Sequence, residues 1–342
     1  MINKVRLPAV IFEFTTRCNL KCKYCYNHWK KETEFIEDVE KHNPKKTLKQ
    51  WFKSVKTDNV TFSGGEPTAN FKELIDCIMY LKRRNKQITI ITNATLLSKE
   101  QLDILAVLKV DLFEITINSY DANIHESINE MEGSFEKSIN AIKYLLSKKC
   151  DVVVPVVMTK YNVSQIEKTL EYIYSLGVRR IMVNRYNIGG YGCNETIEIL
   201  PILEELKSTF KKCNEFAIKK DIELYSLVCT PMCVVNPDDY SNIVFSNCGC
   251  KNKNRAYTLS RDGNVRFCNH SPNSLGNIYK ETMTDILKSD ELEEWAEIEP
   301  EFCRDCSKKE VCLYGCRAAS EQMGYDLSKE DPVVEIYGVS KL

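Results

Sequence analysis

Cys18, Cys22 and Cys25 place three thiols within eight residues, in the spacing CX3CX2C. A four-iron cubane held by three thiolates keeps one iron without a protein ligand, open to a further molecule. With His28 three residues on, the same residues also suit a tetrahedral zinc site, and spacing alone leaves both readings open. A second group is larger: nine cysteines fall between 229 and 316, among them Cys303-X2-Cys306-X5-Cys312-X3-Cys316, preceded by Cys248 and by Cys250-X12-Gly263-X4-Cys268. Paired thiols of this kind serve either iron–sulfur clusters or a structural double zinc knot. Sixteen cysteines in 342 residues lie below the roughly 8–10% of a disulfide scaffold. In a reducing compartment, grouped thiols are metal ligands or catalytic groups. The scattered Cys77, Cys150 and Cys213 read as small apolar residues. Cys193, directly after the glycine-rich stretch 187–192, reads as an inert or a reactive thiol.

These groups need a scaffold, and runs rich in Val, Ile, Phe and Thr predict strands at 10–15, 60–63, 88–92, 112–118, 151–159 and 180–186. Between them, Phe71, Leu74, Ile75, Ile78 and Leu81 share a helical face, as do Phe135, Ile139, Ile142 and Leu146, and Ile166, Leu170 and Ile173. Thr47 with Gln50, Ser98 with Gln101 and Ser164 with Glu167 have capping-box spacing, which predicts three helix starts. Alternating strand and helix specify a parallel sheet with right-handed crossovers. Six such units end near residue 220, short of the eight that close a full barrel. The expected fold class is therefore α/β, a partial (β/α)6 TIM barrel over 1–228. A cysteine-rich domain over 229–342 follows a turn-rich stretch, and its clearest element is a hairpin from Tyr257 to Phe267 turning at Asp262-Gly263.

Net charge is −1, so no bulk field draws the chain to nucleic acid or to an anionic membrane surface. No apolar run approaches the roughly 18–20 residues of a membrane span, and the N-terminal residues do not form a signal peptide, so a cytoplasmic location is expected.

The CX3CX2C triplet, with Tyr24 before its last cysteine, resembles that of the radical SAM enzymes. Ser63-Gly-Gly-Glu-Pro67 directly follows the second predicted strand, as the GGEP motif of that family does. The resemblance implies that Cys18, Cys22 and Cys25 ligate a [4Fe-4S] cluster whose open iron chelates S-adenosylmethionine, and that one electron then yields a 5′-deoxyadenosyl radical. By the same resemblance Tyr26, Gly64, Gly65, Glu66, Pro67, Asn93, Asn118, Ser119 and Arg185 contact the nucleotide. Glycine lets backbone approach a ligand closely, and Glu66 suits the methionine ammonium. His125 is expected to anchor the loop after the fourth strand, and His270 to act on a cluster through its ligands.

The C-terminal cysteines are similar to the SPASM extension of radical SAM maturases. That implies one or two auxiliary [4Fe-4S] clusters, with Cys248, Cys250, Cys268 and Cys316 at the first and Cys303, Cys306 and Cys312 at the second. The family's further cysteine, in an Asp-Pro-x-Cys context, is here Val334 in Asp331-Pro-Val-Val334. The second site is then either open at one iron or completed by Cys229, Cys233 or another group such as Glu335. The resemblance further implies oxidative modification of a ribosomally made peptide or protein, with small-molecule dehydrogenation or formylglycine formation as the alternative, and a reductant such as flavodoxin or ferredoxin; read as zinc ligands, the same cysteines make the chain a zinc-stabilised binding module without catalysis. The first strand begins by residue 10, leaving no room for a leader-gripping domain before it, so a separate recognition protein or a leaderless substrate is expected.

Overall fold

The computed structural model describes residues 4–190 and 197–342. Cys193 and the end of its glycine-rich stretch lie outside the described residues.

Six strands form where the residue pattern places them: β1 (Ala9–Thr15), β2 (Asn59–Gly64), β3 (Gln87–Thr92), β4 (Leu112–Ile115), β5 (Val152–Met158) and β6 (Arg180–Arg185). Two short strands, β7 (Leu224–Ser226) and β8 (Ile243–Phe245), continue the parallel order beyond β6. The hairpin strands β9 (Tyr257–Ser260) and β10 (Asn264–Arg266), with β11 (Ser274–Asn277), complete an open eleven-stranded sheet in the order β8-β7-β6-β5-β4-β3-β2-β1-β9-β10-β11. The hairpin therefore does not stand apart from the barrel. β9 lies parallel to β1, with Tyr257 opposite Val10 and Leu259 opposite Phe12.

Strand parity decides what faces the barrel interior. Phe12, Phe62, Ile90 and Phe113 are register neighbours across β1 to β4, are fully buried, and sit on the helix-covered side, where Phe12, Phe14 and Phe62 meet edge to face. The alternate positions Ile11, Ser63, Ile91, Glu114, Pro155, Val157, Met182 and Asn184 line one interior cavity.

Of the three expected helix starts, only Ser98 with Gln101 caps its helix, Lys99–Val107. Thr47 lies inside the helix Pro44–Ser54, which is capped by Asn43. Its hydroxyl donates to the Arg261 carbonyl (2.6 Å), and Gln50 Nε2 donates to the Ile278 carbonyl (2.8 Å), so both polar side chains fasten the hairpin region to the barrel. Ser164 falls in a 3-10 turn, Val163–Gln165, that leads into the helix Ile166–Ser175 without a side-chain cap.

Candidate active site

The triplet sits in the loop leaving β1, and hydrogen bonds to backbone carbonyls hold that loop. Lys23 N donates to the Ile128 carbonyl (2.9 Å), Asn27 Nδ2 to the Gly64 carbonyl (2.9 Å) and Lys30 Nζ to the Leu20 carbonyl (2.9 Å). Gly65 N and Glu66 N donate to the carbonyls of Thr15 and Arg17, both at 2.7 Å. This approach explains the two glycines: a Cβ on Gly64 would lie 2.3 Å from the Thr15 oxygen, and one on Gly65 2.1 Å from the Arg17 oxygen. Any side chain there would push the thiol loop off the end of β2.

A cavity of about 530 Å³ opens at the C-terminal ends of the strands, where an α/β barrel gathers its ligand groups. Cys18, Cys22 and Cys25 line it, together with Tyr26, Gly64, Gly65, Glu66, Asn93 and Arg185. Pro67, Asn118 and Ser119 are not on its wall. Pro67 is buried at the start of a 3-10 turn. Asn118 is spent on Val157 N (3.1 Å) and Asn129 Oδ1 (3.3 Å), and Ser119 accepts from Asp121 N (3.0 Å). Thr116 and Asn129 line the wall in that region instead. His125 is fully buried between Asn118 N and Asn129, as expected of a loop anchor. His28 packs edge-on against Trp29 and does not line the cavity.

Glu66 holds strand ends together. Its Oε1 accepts from Thr68 N (3.0 Å), Thr68 Oγ1 (2.5 Å) and Thr92 Oγ1 (2.6 Å), and its Oε2 from Asn93 N (2.7 Å). Arg185 is similarly engaged: it forms a 2.5 Å ion pair with Asp331, donates to the Cys229 and Tyr186 carbonyls, and is buried throughout. Asp331 Oδ2 in turn accepts from Cys316 N at 2.8 Å. The arginine thus ties the end of β6 to the C-terminal cysteines.

Those cysteines divide into two groups. Cys229, Cys248, Cys268 and Cys316 line the same cavity as the N-terminal triplet, and Cys250, which is not on its wall, is in hydrogen-bond contact with Cys248. Cys303, Cys306 and Cys312 line a separate small pocket together with Cys233. His270, with Nε2 2.8 Å from the Ile188 carbonyl, packs against the Tyr26 ring and lines the main cavity.

The donor set fits iron–sulfur units and a polar nucleotide. Burial pushes the Cys18 thiol up to about 11 and the Cys22 thiol up to about 12, so these groups stay protonated until a metal displaces the proton. The thiols of each group line one volume together, which suits a cluster presenting a different iron to each thiolate. Two buried amide oxygens, Asn27 Oδ1 and Asn187 Oδ1, belong to cavity-lining residues and have no hydrogen-bond partner, leaving acceptors for a ligand's donors.

Glu114 and Trp295 also line the cavity without having been singled out in the sequence. Burial alone pushes the Glu114 carboxyl up to about 7. A charged residue at the inward parity of an otherwise apolar strand was the signal for it.

The radical SAM superfamily model matches residues 12–173, and an iron–sulfur cluster-binding domain model, SPASM, matches 248–307. The chain is a radical SAM enzyme with a C-terminal SPASM domain, and its cofactors are S-adenosylmethionine and [4Fe-4S] clusters. It is 28% identical over 323 residues to the antilisterial bacteriocin subtilosin biosynthesis protein AlbA of Bacillus subtilis, covering 92% of this chain and 67% of that protein. It is 24% identical over 336 residues to the PqqA peptide cyclase of Rhodopseudomonas palustris, covering 95% and 85%. The fold is shared with Streptococcus suis SuiB bound to its precursor peptide SuiA, at TM-score 0.71 and 15% identity over 97% of this chain and 75% of that one. No helix of the described residues is long and apolar enough to cross a membrane.

Proposed function

We propose that this enzyme oxidatively modifies a ribosomally made peptide. The observation that carries the reading is one cavity lined both by Cys18, Cys22 and Cys25 and by Cys229, Cys248, Cys268 and Cys316. The N-terminal three hold the cluster that binds S-adenosylmethionine, and the others hold an auxiliary cluster. Bound there, these groups supply a 5′-deoxyadenosyl radical and a nearby electron acceptor.

The chain's own residues do the rest. Ile11, Ile91, Val157 and Met182 give the cavity an apolar floor that keeps water from a substrate radical. Gly64 and Gly65 keep the thiol loop against β2, and the unpartnered amide oxygens of Asn27 and Asn187 accept from bound ligands. AlbA, named for bacteriocin biosynthesis, the PqqA peptide cyclase, and SuiB with its precursor peptide support a peptide as the substrate. A small reductant protein of the flavodoxin or ferredoxin kind supplies the initiating electron, and a separate protein presents the peptide's leader where it has one.

The test uses anaerobically reconstituted enzyme with S-adenosylmethionine, dithionite and short peptides encoded beside its gene. Wild type is expected to release 5′-deoxyadenosine and to remove two hydrogens from one such peptide, as read by mass spectrometry, and Cys22→Ala to do neither. Nucleoside release with every neighbouring peptide unchanged and a small metabolite oxidised instead would overturn the peptide reading.

A further inference from the structure

Four thiols from two distant stretches of chain meet in the small pocket: Cys303, Cys306 and Cys312 from the C-terminal run, and Cys233 from the segment that leaves β7. Cys303 ends a 3-10 turn, Glu301–Cys303, and Cys306 N donates to its carbonyl at 3.0 Å. Cys312 ends the short helix Lys309–Cys312. Cys233 lies within a tight turn in which Val234 N and Val235 N both donate to the Pro231 carbonyl, at 2.9 and 3.0 Å. The two stretches are joined at the sulfur itself, because Met232 N donates to Cys312 Sγ at 3.4 Å and so sets the neighbouring Cys233 beside it.

Val334 lines the same pocket. It stands where the SPASM resemblance expects a thiolate, and it presents an isopropyl group on a helix, Pro332–Ile336, whose start Asp331 caps. Cys229, four residues before Cys233, lines the large cavity with Cys248, Cys268 and Cys316 instead. The turn between them, Thr230 to Met232, therefore sends one cysteine to each site.

Resting on the assignment of clusters to the C-terminal domain, we infer that Cys233 is the fourth thiolate of the second auxiliary cluster, replacing the ligand that Val334 cannot supply. On loading, Cys233 Sγ loses its proton to solvent and bonds the iron left over by Cys303, Cys306 and Cys312. Every iron of that cubane then has a protein ligand, and none is open to substrate. The auxiliary site bordering the large cavity remains the one positioned next to a bound peptide.

The experiment uses the full chain with Cys18, Cys22 and Cys25 all changed to Ala, so that only auxiliary iron is counted. Reconstituted anaerobically, it is expected to carry about eight irons, four per cubane. Adding Cys233→Ala is expected to remove roughly half of that iron or to leave a three-iron cluster visible by electron paramagnetic resonance. Adding Val334→Cys to that variant returns a thiol to the same pocket and is expected to restore the iron, which separates ligation from misfolding. Full iron with no new signal in the Cys233→Ala chain, together with alkylation of Cys233 in the loaded parent, overturns the ligand while leaving the clusters in place. A parent chain that binds no iron overturns both the ligand and the cluster assignment beneath it.

Discussion

At the scale of single residues, Glu114 shows how position changes chemistry. It projects from β4 into a cavity whose neighbouring strand positions are mostly apolar, and none of the described residues donates to its carboxylate or pairs with it. Burial raises it to about 7, whereas an unfolded chain titrates the same group near the ordinary glutamate value. The folded apoprotein thus holds the proton more tightly than the unfolded one. Stability contributed by that proton is present below the unfolded value and is lost as pH rises through about 7. Glu114→Gln, which stays neutral, is expected to match wild type at pH 4.5 and to exceed it by a growing margin up to pH 8. Urea midpoints of the apoprotein across that range check the sign. A margin that does not change with pH would mean that the carboxyl is solvated and ordinary.

At the scale of elements, strand positions and the two cysteine groups were legible because period-two alternation and ligand spacing are local properties of the chain. Partnerships between elements were not. Arg185 read as a nucleotide contact at the end of β6, and nothing near it in sequence announces Asp331, 146 positions away, as its buried partner. Thr47 and Gln50 had the spacing of a capping box, and only the packed hairpin shows that their side chains serve Arg261 and Ile278 instead. Likewise Cys229 and Cys233 look equivalent in sequence, and the fold sends them to different pockets. The Arg185–Asp331 pair has a measurable signature. Asp331→Ala leaves a guanidinium buried without its carboxylate and frees Cys316 N, and such a loss costs about 3–5 kcal/mol. Arg185→Met combined with Asp331→Leu is expected to be less destabilising than either single change, because no charge is stranded. A double-mutant cycle in denaturant checks this, and additive losses would show that the two groups act independently.

At the scale of the whole molecule, the hairpin makes the C-terminal region part of the barrel's structure. β9 supplies the hydrogen-bonding neighbour of β1, the strand that leads into the cluster loop. Two buried arginines bind the same seam: Arg266 pairs with Glu13 on β1, and Arg261 pairs with Glu40 at 3.2 Å and Glu73 at 2.8 Å while donating to the Phe14 carbonyl. Glu40 also accepts from Thr15 and Thr16, the residues just before the first cysteine of the triplet. Removing residues 229–342 would expose the edge of β1, strand the Glu13 and Glu40 carboxylates, and loosen the backbone that sets Cys18. The chain is therefore expected to unfold as one cooperative unit. Single-tryptophan variants give the measurement, one keeping Trp51 on the barrel helix Pro44–Ser54 and the other keeping Trp295 on the C-terminal helix Asp290–Glu297. Their denaturation midpoints should coincide in the apoprotein, and a fragment of residues 1–228 should fail to form a folded monomer. Two separate transitions, with the barrel intact after the C-terminal part has melted, would show that the seam carries little of the stability and that the hairpin merely rests against β1.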